Sequence, residues 1–103
     1  MAGANDPQVA LERATELFRA LANPLRVAIV RELGHGERTV TELVDRLEVA
    51  QPRISEHLAI LRAANLVVGT RAGRQVTYHL VDEHVAHIVD DAVLHASEPT
   101  PAA

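Results

Sequence analysis

The chain has 103 residues, no cysteine, 48% apolar residues and a net charge of −4 with histidine neutral. That length fits one domain, and the lack of cysteine excludes disulfides and thiolate metal sites. No run approaches the roughly 20 apolar residues of a membrane span or the pattern of a signal peptide, so a cytoplasmic protein with no membrane partner is expected.

Phe18 and Tyr78 are the only aromatics, so Leu, Val, Ile and Ala must build the core, which suits a small helical protein. A chain this small buries only about two-thirds of its surface, and a dimer would add useful stability. Charge is unevenly placed. Residues 1–50 carry six Arg and eight acids, residues 51–80 carry four Arg and Glu56 alone, and residues 81–103 carry five acids and no Arg. The basic third is where a DNA-facing surface is expected, and the acidic third is where a cation can bind.

Residues 1–5 ("MAGAN") and the tail 99–103 ("PTPAA") are expected to be disordered, leaving 6–98 as one folded domain. Asp6-Pro7 opens a first helix, with Asp as N-cap and Pro at the first helical position. Val9, Ala10, Ala14, Leu17, Phe18 and Leu21 recur along it at helical spacing. Asn23-Pro24 repeats the signal and starts a second helix, with Leu25, Ile29, Val30 and Leu33 inward and Gly34 as the stop. Thr41 is a cap for a third helix, "ELVDRLE", whose Leu43, Val44 and Leu47 face one way. After the break "VAQ" comes a fourth helix from about Gln51 to Ala64, with Pro52 in its first turn and Ile54, Leu58 and Leu61 as its apolar stripe. "LVVGT" and "QVTYHLV" read as strands joined through "RAGR", with Gly73 supplying the turn. "DEHVAHIVDDAVLHASE" is the last helix, capped by Asp82.

Two short helices with a brief break between them, then a two-stranded hairpin, describe a winged helix-turn-helix. The expected fold is mainly α with a small β-hairpin, in the order α-α-α-α-β-β-α. Its second helix of the pair enters the major groove and the hairpin lies along the backbone. The fourth helix offers Gln51, Arg53, Ser55, Glu56 and His57, and the wing offers Arg71 and Arg74. Gln and Arg suit bidentate contacts to adenine and guanine, and Ser suits a base or a phosphate. Glu56 is repelled by phosphate; it accepts from a cytosine amino group, pairs with Arg53, or points away. His57 serves either as a DNA contact or as a residue that seats the helix. A small all-α domain with an ordinary surface helix shares much of this pattern.

"LFRALANPLRVAIVREL", "TVTELVDRLEVAQPRISEHLAILRAANLV" and "RAGRQVTYHL" resemble the ArsR/SmtB family of bacterial metal-responsive repressors, over about Glu16 to Glu98. The resemblance implies a homodimer that binds an inverted-repeat operator and is released by its effector. Glu56, and Asn65 where a glycine is common, depart from the usual motif. The family's other metal site uses cysteines on the third helix, where this chain has "TVTELVD"; without thiolates, arsenic, lead and cadmium are disfavoured as signals.

On a helical wheel of about 100° per residue with His84 at zero, His95 falls near 20°, Asp91 near 340°, Glu98 near 320° and His87 near 300°. Ile88, Ala92, Val85, Ala96, Val89 and Val93 fill the arc from about 40° to about 180°. The last helix thus carries a stripe of metal-ligand types along the border of an apolar face. His84 and His95 are about 16.5 Å apart along the axis, whereas zinc donors lie about 2 Å from the ion. One helix cannot bring both ends to one ion. Two copies running antiparallel can, pairing Asp82 and His84 of one chain with His95 and Glu98 of the other in two tetrahedral sites. The spacing Asp-x-His-x10-His-x2-Glu is also that of the family's zinc sensors, matched by Asp82, His84, His95 and Glu98. His87 and Asp91 lie on the same stripe outside the motif, and His87 is the residue that supplies a fifth ligand if one exists.

Zinc is therefore the expected ion, with nickel or cobalt as the alternative, because the family's nickel and cobalt sensors are similar to this chain around "RAGR" and "DEHVAH". A metal-independent winged-helix regulator and a structural dimer stapled by metal are the competing readings. A zinc hydrolase is disfavoured: there is no His-Glu-x-x-His motif, and four protein ligands leave no open position for water.

Overall fold

In the computed structural model, residue 3 and residues 5–101 are described, so the disorder expected over 1–5 and 99–103 falls partly outside the described residues. The Asp6 carboxylate accepts the Gln8 backbone N–H at 2.8 Å and starts α1, Pro7–Leu21. The Asn23 side chain accepts from the N–H groups of Leu25 and Arg26 and starts α2, Pro24–Gly34. Gly34 is the last helical residue rather than the stop. His35 caps the helix, and Gly36, at φ 146°, turns the chain away from it.

The next element is absent from the expected order. Arg38–Thr39 forms a short strand, β1, whose residues lie opposite Tyr78 and Thr77. Helix α3 is Val40–Leu47, α4 is Gln51–Ala63, β2 is Val67–Ala72, β3 is Gln75–Leu80 and α5 is Glu83–Ser97. The expected hairpin is therefore a three-stranded antiparallel sheet of order β1-β3-β2. Strand β2 runs farther than expected, through Arg71 and Ala72 to a two-residue turn at Gly73-Arg74, whereas β3 ends at Leu80, one residue short of the expected Val81. Gly73 has φ 65° and Arg74 is not left-handed, the pattern of the type II′ turn that suits the twist of paired strands.

The core is formed by Leu25, Ile29, Val30 and Leu33 of α2, Leu43 of α3, the Ile54-Leu58-Leu61 stripe of α4, Leu66, Val67, and Val85 and Val89 of α5. Helix α1 lies mostly outside this core. Only Ala20 and Leu21 at its end are buried, Ala10 and Ala14 are exposed, and Phe18 is 59% exposed. Its apolar stripe follows the helix period, but only the last turns reach the rest of the chain. Among the described residues, no helix is long and apolar enough to cross a membrane.

Candidate DNA-reading and metal-binding surfaces

The geometry of the α3–α4 pair begins with a cap. The Thr39 hydroxyl accepts the Glu42 N–H at 3.2 Å, and the Glu42 carboxylate accepts the Thr39 N–H at 3.0 Å. This reciprocal capping box places the start of α3 at Thr39 rather than at Thr41. The Thr39 N–H, then its hydroxyl, hold the Glu42 carboxyl below the usual carboxylate range, with Arg38 and Arg46 adding smaller attraction. Glu32 of α2 is paired with Arg46 of α3 and lies 3.9 Å from Arg38 of β1, so one carboxylate ties three elements together. At its other end α3 stops on Glu48 in the left-handed region, φ 55°, and Val49 and Ala50 complete a three-residue turn into α4.

Helix α4 buries Ile54, Leu58 and Leu61 and turns Gln51, Arg53 and Glu56 to solvent. Gln51 donates to the Ser55 hydroxyl at 3.3 Å across one turn, and Ser55 is half-buried. Among the described residues no ion pair joins Arg53 and Glu56, so the Arg53 guanidinium is not held by that neighbour. His57 lies apart from this exposed face. It is half-buried, with Nδ1 3.1 Å from the Arg26 guanidinium on α2. Nothing in the sequence marked that contact, because its partners are 31 positions apart. On the wing, Arg71 stands opposite Val76 in the ladder, Arg74 sits in the turn, and both are exposed. Gln51, Arg53, Arg71 and Arg74 supply donors to solvent, the groups that phosphates and base edges require.

The possible metal ligands are split between the two ends of α5. Asp82 caps the helix, with Oδ1 accepting the Val85 N–H at 3.2 Å. That bond occupies one carboxylate oxygen and leaves the other free. His84 follows in the first turn, His95 lies in the last turn, and Glu98 is the C-cap; all four residues are exposed, as are His87 and Asp91. Among the described residues, no three His, Asp or Glu side chains come together as a metal-binding group. The donor chemistry, two imidazoles and two carboxylates, fits a borderline ion such as zinc, but each end holds only one of each.

The apolar face of α5 is divided. Val85 and Val89 are turned into the chain's own core and are 3% exposed, which the helical wheel did not distinguish from the rest of the arc. Ile88 and Ala92, with Val89 between them, line a cavity of about 210 Å³ together with Phe18, Leu21, Ala22 and Val27. The metal-ligand border therefore runs beside an apolar groove shared by α1, α2 and α5.

Residues 23–68 match the model of the family described as bacterial regulatory protein, arsR family. The chain is 56% identical over 92 residues to the HTH-type transcriptional repressor SmtB of Mycobacterium tuberculosis, covering 89% of this chain and 68% of that protein. Among solved structures, reduced HlyU from Vibrio cholerae superposes with a TM-score of 0.78 at 31% identity, covering 88% of this chain and 96% of that one. A homodimeric winged helix-turn-helix DNA-binding domain from Mycobacterium bovis gives a TM-score of 0.78 at 30% identity, covering 95% and 92%.

Proposed function

The chain belongs to the ArsR family of bacterial regulatory proteins, and from that premise we propose that it is a cytoplasmic zinc-responsive repressor, acting as a homodimer on an inverted-repeat operator. One observation carries the metal reading: Asp82 with His84, and His95 with Glu98, form two exposed donor pairs at opposite ends of α5, neither sufficient alone. A second copy would complete each site, Asp82 and His84 of one chain joining the His95–Glu98 pair of the other. Bound zinc would supply charge and a fixed coordination geometry between the two C-terminal helices.

The protein's own residues do the rest. Gln51 and Arg53 read bases from α4, and Arg71 and Arg74 hold phosphates from the wing. The dimer is supported by the apolar surface that α1 leaves exposed. Leu11 and Phe18, 65% and 59% exposed, stand on the same helix seven positions apart, which sets them on one side of α1.

A test needs a duplex, and one enriched by the protein from a random-sequence pool serves. Zinc chloride is expected to lower affinity for that duplex more than nickel or cobalt salts do. By linkage the duplex weakens zinc binding by the same factor. Zinc that tightens binding makes the protein a co-repressed regulator, and no effect of any metal makes it a metal-independent one. The nickel or cobalt reading has one observation in its favour, that His87 is exposed on the ligand border of α5.

A further inference from the structure

Arg26 lies in the first turn of α2, where the Asn23 side chain accepts its backbone N–H. Its guanidinium is held on two sides. Nε donates to the carbonyl of Ala20 in the last turn of α1, one of the carbonyls left without a partner where a helix ends. Nη1 lies 3.1 Å from Nδ1 of His57 on α4. Arginine has no acceptor, so Nδ1 accepts and the proton of the neutral ring sits on Nε2. One side chain thus joins three helices, and both Arg26 and His57 are half-buried, where hydrogen bonds are stronger than at the surface.

The three helices face different tasks. Helix α1 carries Phe18 and Leu21 into the groove it shares with α5, and α4 turns Gln51 and Arg53 to solvent. We infer that Arg26 is a positioning residue for DNA recognition: by bridging Ala20 of α1 and His57 of α4, its guanidinium fixes the pitch of the reading helix against the dimer-forming helices. It does so without touching DNA. The inference rests on the DNA-binding reading above. A dimer must present two reading helices to half-sites at a set spacing, and an error in the pitch of α4 is repeated in both copies. Random DNA asks for positive charge and no such register. Loss of the strut therefore lowers discrimination, whereas loss of a phosphate contact lowers affinity for every duplex.

The test uses the full chain, the duplex enriched by the wild-type protein, and a scrambled duplex of equal length. Arg26→Gln and His57→Leu are each expected to weaken the enriched duplex roughly tenfold, the effect of one charge-assisted hydrogen bond, while the scrambled duplex binds as before. The double variant is expected to lose no more than Arg26→Gln alone, because that variant already removes the His57 bond together with the Ala20 one. His57→Asn, whose Oδ1 can stand in for Nδ1, is expected to keep most of the discrimination. Equal losses on both duplexes, additive losses in the double variant, or undiminished discrimination in Arg26→Gln overturns the strut. Should either variant unfold, long-range nitrogen–proton NMR of the wild type decides. An Nε2-protonated His57 ring supports the strut, and an Nδ1-protonated ring overturns it. A wild-type chain that enriches no duplex at all overturns the DNA-binding reading itself, and the strut with it.

Discussion

Thr39 and Glu42 cap each other: the hydroxyl of one takes the backbone N–H of the other, and the carboxylate returns the bond. Because Thr39 also sits in β1, opposite Thr77, the cap fixes the start of α3 to the edge of the sheet. Thr39→Ala is expected to cost about 1 kcal/mol in urea unfolding. Glu42 adds a pH dependence whose sign follows from its depressed folded value. A carboxyl held low contributes stability above its unfolded range, lost as pH falls through the folded value. The gap between wild type and Glu42→Gln should thus be open at neutral pH and close in acid. A gap that widens in acid contradicts the cap.

Glu48 occupies the left-handed region at φ 55° and Asn65 at φ 60°. A side chain with a Cβ is strained there, Asn least among them. Glu48→Gly is accordingly expected to raise stability by up to about 1 kcal/mol, and Asn65→Gly by less, the strain relieved exceeding the added freedom of the unfolded chain. Denaturation midpoints of the two variants check the order.

The caps at Asp6, Asn23 and Asp82 were legible because an acid or amide before Pro, or before an apolar periodic run, has few other structural meanings. Strand β1 was not, since two residues carry no period. Thr39 and Thr41 both stand at the head of the apolar run of α3, and the carboxylate three places after Thr39 separates them. Periodicity found the apolar faces of α1 and α5 but could not assign them to this chain or to a partner. Val85 and Val89 went inward, while Phe18 stayed out. The seat of His57 on Arg26 depends on tertiary contact alone.

Phe18 gives the dimer its plainest test. It lines the α1–α5 groove with Ile88 and Ala92 while remaining 59% exposed. Phe18→Glu would place a charge at a dry contact and remove one large apolar group per copy, weakening self-association by roughly tenfold or more. Sedimentation at micromolar concentration is expected to show a dimer for the wild type without metal and a shift toward monomer for the variant. A well-folded wild-type monomer at that concentration would remove both the dimer and the shared metal site.

The arginines of the reading head and wing should fail differently. Arg53 projects from α4 and is assigned to bases, so Arg53→Ala should weaken an enriched duplex far more than a scrambled one. Arg71 and Arg74 are exposed on the wing and assigned to phosphates. Alanine at either should weaken both duplexes alike and reduce the salt slope by about one. Equal losses on both duplexes for Arg53→Ala would move it to the phosphate group.

The identity of the metal turns on Glu98 and His87. Both are exposed on one border of α5, but Glu98 is the C-cap, three residues after His95, whereas His87 stands three residues after His84. If Glu98 closes a set of four donors, bound cobalt used as a spectroscopic stand-in should show the intense visible bands of a tetrahedral ion. Glu98→Ala should then weaken zinc and blunt its effect on DNA, and His87→Ala should change little. The Asp82 cap adds a control: Asp82→Asn keeps an oxygen for the Val85 N–H, so stability should hold while zinc affinity falls. Weak six-coordinate cobalt bands, together with a large His87→Ala effect, would make His87 a ligand and move the assignment to nickel or cobalt.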